Sequence, residues 1–366
     1  MRIALTILIG IHAIIHLFGF LKAFELSDFN AINQPISKTF GIVWLLTFIL
    51  FSITTTLLVF HSSYWWISGF LAAIVSQVLI FNYWSDAKFG TIINLIIFVA
   101  VIVAYSNFDF KNRINKEREI LLKNSQFVKE EVITKESILR LPIAVQKWLN
   151  NIGVIGKTPI SNVYLTQELQ LKLDPNQENW NTGKAEQYFT VNPPAFNWSI
   201  NTKTNAILSV VGRDKFENGN GEMKIKLLSL IPIVDVKNNN KINQASLQRF
   251  LAEIIWFPTA ALNKNITWEH VNENSAKATI KVNETIGFGT FHFDSNGNFQ
   301  MFTALRYKDI NDTKPKLWTV SAIKTEKMNG VKVPVECKAS WKLESGKWTW
   351  LKLKIKELKY NLVTTN

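Results

Sequence analysis

Residues 348–360 read Trp348-Thr349-Trp350-Leu351-Lys352-Leu353-Lys354-Ile355-Lys356-Glu357-Leu358-Lys359-Tyr360. From Leu351 to Lys356 apolar and charged side chains alternate, and a period of two marks a strand with one covered and one solvated face. Leu351, Leu353 and Ile355 point to one side, Lys352, Lys354 and Lys356 to the other. One face is core or ligand cavity. The lysine row is either a solvent face that resists edge aggregation or a surface that docks on a membrane.

The same pattern recurs upstream. Strand-like runs are Val163–Leu173, Ala185–Val191, Phe196–Asn201, Ile207–Phe216, Glu222–Leu230 and Ala276–Val282. They continue as Ile286–Phe293, Phe299–Tyr307, Trp318–Lys324 and Val331–Leu343. Asn296-Gly297, Asn329-Gly330 and Ser345-Gly346 are hairpin signals, because glycine supplies the positive φ of tight turns. An antiparallel meander of roughly ten strands follows from these spacings. Leu141-Pro142 opens a short helix through Val145, Trp148 and Leu149 that ends at Gly153. A second helix, Gln244–Trp256, interrupts the meander and stops before Pro258. It is expected on the concave side of the sheet, above an apolar pocket of several hundred Å³ lined by Phe291, Phe293 and Met301.

The N-terminal third has a different character. Apolar stretches at Ile3–Leu21, Phe40–Phe60, Tyr64–Tyr83 and Phe89–Tyr105 each approach the length of a bilayer span. The first lacks a small-residue cleavage site and is read as a retained helix. Arg2, Lys111, Arg113, Lys116, Arg118 and Lys123 outnumber Lys22, Lys38 and Lys88, which places both termini in the cytoplasm of an inner-membrane protein. Residues 1–107 are thus a four-helix transmembrane domain, 108–140 a charged amphipathic connector, and 141–366 an antiparallel β-rich soluble domain. The fold class is an α+β membrane protein, a transmembrane bundle followed by a half-barrel-like sheet with a packed helix.

Composition excludes several functions. The net charge is +13, yet the lysines are dispersed, with no arginine-rich helix or RNA-binding aromatic signature. Membrane lipids, not nucleic acid, are the expected partners. A single cysteine, Cys337, rules out an internal disulfide framework or a Cys-cluster zinc site. His270 and His292 have no metal-ligand spacing, and no serine sits in a nucleophile elbow. Gly219 and Gly221 lack a P-loop ending, and Gly287-Phe288-Gly289 reads as a strand. Neither cofactor nor metal is expected.

Charge pattern selects the candidate site. Arg249 and Glu253 lie one turn apart on the interrupting helix, and Trp256 follows them. Arg213 and Asp214 end a strand, and Arg306 ends another. Together these six residues suit either recognition of an anionic headgroup or a buried ionic network. His12 and His16 share one face of the first apolar helix, as a proton-handling or ligand-binding pair or as hydrogen-bonding partners across helices.

Much of this pattern resembles a family of uncharacterised bacterial proteins. The shared residues are Leu141-Pro142 with Val145, Leu149 and Gly153, then Gln167, Gln187, Phe196 and Trp198. Arg213-Asp214, Gly219, Gly221, Arg249-Phe250-Leu251-Ala252-Glu253, Trp256, Pro258, Thr259, Trp268 and Arg306 extend it over residues 140–310. The segments His16–Phe24 and Asp86–Thr91 resemble four-span modules of Bacteroidetes-type bacteria. No activity comes with either resemblance. The strand-and-helix pattern also resembles the half-barrels of LolA-type lipoprotein carriers, which wrap a curved sheet around acyl chains. Two functions remain, a membrane-anchored module that binds a lipid or another apolar ligand, and an enzyme on a lipid-like or envelope substrate that uses the Arg/Asp/Glu cluster.

Overall fold

The computed structural model describes residues 2–27, 32–126, 132–203 and 209–363. Residues 127–131 of the expected connector, and Ile207 at the head of an expected strand, lie outside them. Contacts divide the chain into two compact units, Met1–Asn112 with Leu228–Leu230, and Arg113–Leu227 with Ile231–Asn366.

The first unit contains α1 (Arg2–Ala23), α2 (Lys38–Val59), α3 (Trp65–Asn82), one-turn α4 (Trp84–Ala87) and most of α5 (Gly90–Lys123). Helices α1, α2, α3 and α5 are each long and apolar enough to cross a membrane. Helix α5 runs well past the apolar stretch expected to end at Tyr105. No glycine or proline interrupts it after Gly90, so nothing in the backbone stops the helix where the hydropathy falls. Its last turns, from Arg113, belong to the second unit.

The second unit is a curled antiparallel sheet of thirteen strands with one-turn α6 (Lys135–Ile138), α7 (Ile143–Asn151) and α8 (Asn240–Glu253). The first six strands are β1 (Asn162–Leu171), β2 (Asn181–Thr190), β3 (Ala195–Lys203), β4 (Ser209–Glu217), β5 (Asn220–Leu227) and β6 (Ile231–Val236). The others are β7 (Ile266–Asn272), β8 (Ser275–Val282), β9 (Thr285–Phe293), β10 (Phe299–Arg306), β11 (Lys316–Met328), β12 (Val331–Leu343) and β13 (Gly346–Tyr360). From β1 the chain steps outward to the edge strand β6. It then crosses the inner face through α8 and two 3-10 turns, Ile254–Trp256 and Pro258–Leu262, and steps back from the other edge strand, β7. Pairing of β13 with β1 joins the two halves. At the β11–β12 turn Asn329 and Gly330 both adopt positive φ, +50° and +78°, the geometry that matches strand twist in a two-residue hairpin.

Both edge strands escaped the alternation pattern, and for physical reasons. Strand β6 contains Pro232 and exposes Ile231 and Ile233, while β7 is largely polar and exposed. An edge needs only one hydrogen-bonded neighbour, so its side-chain pattern is weakly constrained. Helix α8 begins at Asn240, four residues before the expected Gln244, because the Asn239 side chain accepts from the Lys241 and Ile242 amides at 2.9 and 3.4 Å. Its regular turns end at Glu253 and tighten into 3-10 geometry through Trp256. The helix lies close to β5 at Gly221, where an added Cβ would sit 2.6 Å from Ser246 Oγ.

Leu247, Phe250 and Leu251 of α8 and Ile254 of the 3-10 turn after it are fully buried in one core with Phe189, Phe196, Phe216, Phe291 and Phe302. Trp148 of α7 stacks on Phe293 at 5.5 Å and on Phe291 at 6.1 Å. The expected pocket lined by Phe291, Phe293 and Met301 therefore does not form. Both phenylalanines are core, and Met301 is 37% exposed on the outer face. A register shift between Phe299 and Met301 turns Phe302 inward in its place.

Candidate functional site

Strand register assembles the inner-face polar centre. Leu165, Gln187, Trp198, Asp214 and Met223 face one another in turn across β1 to β5, a single inward row. Helix α8 lays Arg249 and Glu253 against it. Arg249 Nη1 donates to Asp214 Oδ2 at 2.6 Å, and Nε donates to Glu253 Oε1 at 2.9 Å. Gln187 Nε2 donates to Glu253 Oε2 at 2.8 Å. The guanidinium lies 4.8 Å from the Trp198 ring, and the Trp198 indole donates to Gln167 Oε1 at 2.9 Å. Asp214 is 4% exposed and Glu253 9%. Burial opposes charge on Arg249, but Glu253 and Asp214 outweigh it and hold its pKa above the ordinary value. Burial pushes the Glu253 carboxyl up, against the pull of Arg249.

Arg306 reaches the same interior from β10 but is held differently. Its Nε donates to the Ala245 carbonyl of α8 at 3.0 Å, and its guanidinium carbon lies 4.6 Å from the Trp318 ring and 5.7 Å from Trp341. It enters no ion pair among the described residues. Burial pushes its pKa down to about 10, with Asp214 and Glu253 pulling the other way from beyond bonding distance.

The remaining candidates lie elsewhere. Arg213 and Asp214 are adjacent in a strand and so face opposite sides. Arg213 Nη2 pairs with Glu222 at 2.9 Å and Glu117 at 3.3 Å on the outer face. Trp256 is core, its indole donating to the Pro334 carbonyl at 2.9 Å and its own carbonyl accepting from Tyr360 Oη at 2.6 Å. Among the apolar helices, His16 Nδ1 bonds the His12 carbonyl at 2.8 Å and Nε2 meets Ser76 Oγ at 2.9 Å. Asn94 joins His12 Nε2 and Ser76 Oγ, both at 3.0 Å. The histidines thus sit in a polar network across α1, α3 and α5.

Sequence reasoning missed two features. Glu117 and Arg118, in the last turns of α5, dock on the outer face of the sheet. Arg118 bonds Glu186 at 2.8 Å and Ser199 at 2.6 Å and lies 4.9 Å from the Tyr188 ring. Nothing in a charged helical stretch distinguishes a docked arginine from a solvated one. The second is the half-open end of the inner face, beyond the cover of α8. There Ile200, Trp348, Trp350, Leu351 and Leu353 are each only partly buried. Asp214 Oδ1, Gln187 Oε1 and the indole N–H groups of Trp318, Trp348 and Trp350 are buried and have no hydrogen-bond partner among the described residues. A groove of about 840 Å³ is lined by Glu168, Lys184, Glu336, Lys352 and Lys354 of the outer face together with Leu353.

A family model described as a family of unknown function (DUF6920) matches residues 139–360, more than half of the chain. The chain is similar in structure to a LolA superfamily protein from Nitrosomonas europaea, at 9% identity and a TM-score of 0.35, over 63% of this chain and 96% of that one. It is also similar to a beta-barrel-like protein of a domain of unknown function (DUF1849) from Brucella abortus, at 10% identity and a TM-score of 0.23, over 56% and 99%. Likenesses this weak carry no functional argument. No curated protein matches the chain.

Proposed function

The chain belongs to the family of unknown function DUF6920, and we propose that it is a membrane-anchored module that binds a lipid or another apolar ligand on the inner face of its curled sheet. The anchor is the set of four apolar helices, on which Ile7, Ile11, Ile42 and Leu95 are 56%, 56%, 58% and 63% exposed. That much uncovered aliphatic surface is stable in hydrocarbon and not in water. The membrane is the inner membrane, with both termini cytoplasmic. Reporter fusions after Asn107 and after Asn366 should both read cytoplasmic, and a periplasmic signal from either reverses the orientation.

The observation that carries the binding reading is the half-open inner face. Aromatic and aliphatic side chains stand partly covered there beside unpartnered polar atoms, the mixture of apolar wall and few polar contacts that ligand sites use. The alternative, an enzyme on a lipid-like or envelope substrate, has less support. It needs a carboxylate at liberty to move a proton, and Arg249 holds both Asp214 and Glu253. The test is organic extraction of the full chain purified from membranes in mild detergent, followed by mass spectrometry. A co-purified amphipathic molecule that is lost in Ile200→Asp supports the reading. Equal lipid content in both proteins, with none specific to the wild type, overturns it.

A further inference from the structure

We propose that Arg306 receives the anionic head group, carboxylate or phosphate, of an amphipathic ligand bound on the inner face. The inference rests on the binding reading above and adds the chemistry of the head. The Trp318 and Trp341 rings, 4.6 and 5.7 Å from the guanidinium carbon, restrict where the guanidinium can lie, and the bond from Nε to the Ala245 carbonyl restricts its rotation. The two terminal nitrogens thereby form a fork of set direction, a shape that matches two oxygens of a carboxylate or phosphate. They have no acceptor among the described residues. The nearby carboxylates do not fill that need: Arg249 and Gln187 take both oxygens of Glu253, and Asp214, paired with Arg249, lies beyond bonding distance of Arg306.

The contrast with Arg249 sharpens the assignment. Arg249 on α8 and Arg306 on β10 both lie against aromatic rings, but among the described residues Arg249 has two carboxylates and Arg306 none. A half-buried cation without a counter-ion is costly, and an incoming anion removes that cost. Burial has already lowered the pKa of Arg306 to about 10, the direction expected of an uncompensated guanidinium. The Trp318 indole N–H, also without a partner among the described residues, is a further donor on the ring that the guanidinium faces.

The experiment uses the full chain in detergent micelles, a palmitate analogue with a diazirine in its chain, and the matching fatty alcohol. After photolysis, labelled peptides of β3, β11 and β13 are quantified. The carboxylate should label about tenfold more than the alcohol, the worth of one charge-assisted contact. Arg306→Gln should bring the carboxylate down to the alcohol's yield, and Arg306→Lys should keep part of the preference, which separates loss of charge from loss of fold. Equal labelling by both probes in the wild type overturns the head-group assignment and leaves the binding reading standing. Labelling of these strands by neither probe removes the binding reading itself. Inorganic phosphate alone should leave labelling unchanged, and displacement by it would replace the amphipathic ligand with a free oxyanion.

Discussion

The two ends of the inner face are built from the same kinds of residue and end in different states. Where α7 and α8 cover the sheet, Trp148, Phe291 and Phe302 are buried to 2% exposure or less. Past the end of that cover, Ile200, Trp350 and Leu353 point to the same side of the sheet and stay half-buried. Alternation sets which way a side chain points, and the covering element decides whether it becomes core or surface. The half-open end is the part of this unit where apolar side chains stay partly uncovered.

The sharpest way to break this comparison is to remove large side chains from both ends. Phe302→Ala should destabilise the full chain by about 3–5 kcal/mol, from lost contacts and an unfilled cavity. Ile200→Ala, at the half-open end, should cost about 1 kcal/mol, because little area there is removed from water on folding. Denaturant unfolding followed by tryptophan fluorescence measures both. Equal costs would mean that the two ends are packed alike.

Next in size is the polar centre between the ends. Glu253→Ala leaves Arg249 one acceptor short and Gln187 without its partner, and should cost about 3 kcal/mol. Glu253→Gln should recover most of that loss, because a turned Gln187 amide presents its unpartnered oxygen to the new NH₂ group. A glutamine variant as unstable as the alanine one would show that the charge, and not the hydrogen bonding, holds the centre.

A smaller effect depends on pH. Burial raises the Glu253 pKa above its ordinary 4.5, so the folded state holds that proton more tightly than the unfolded chain. Its contribution is fully present below pH 4.5 and is lost as pH rises through the folded value. Relative to Glu253→Gln, the wild type should therefore lose stability with rising pH above 4.5. A gain over that range would place Glu253 in a site that favours its charged form. Least affected should be the outer face. Lys356 and Glu168 pair at 3.5 Å with both side chains about half exposed, and Lys356→Gln should change stability by about 0.5 kcal/mol or less. A larger change would show that the lysine face is covered.

Strand direction, the major turns and the crossing helix were legible in the sequence because each rests on local chemistry. Leu353 and Cys337 oppose each other inward while Lys354 and Glu336 pair outward, as the period of two requires. Arg249 and Glu253 meet because one helical turn separates them. The bulge between Phe299 and Met301 was not legible, and it alone moved Met301 out of the expected pocket. Arg213 and Asp214 looked like one site because they are neighbours in sequence, although strand geometry sends them to opposite faces.

By itself the sequence determined four helices of spanning length, an antiparallel meander and the presence of a charged helix within it. Periodicity and hydropathy act over a few residues and leave their mark in any stretch that obeys them. Only the tertiary structure decided that β13 closes on β1, that Asp214 and not Arg213 meets Arg249, and that Arg306 lies against Trp318 and Trp341 with no counter-ion among the described residues. These outcomes depend on register between strands distant in sequence and on where one helix stops covering the sheet. Partners of that kind come from different parts of the chain, and no local pattern records which of them will meet.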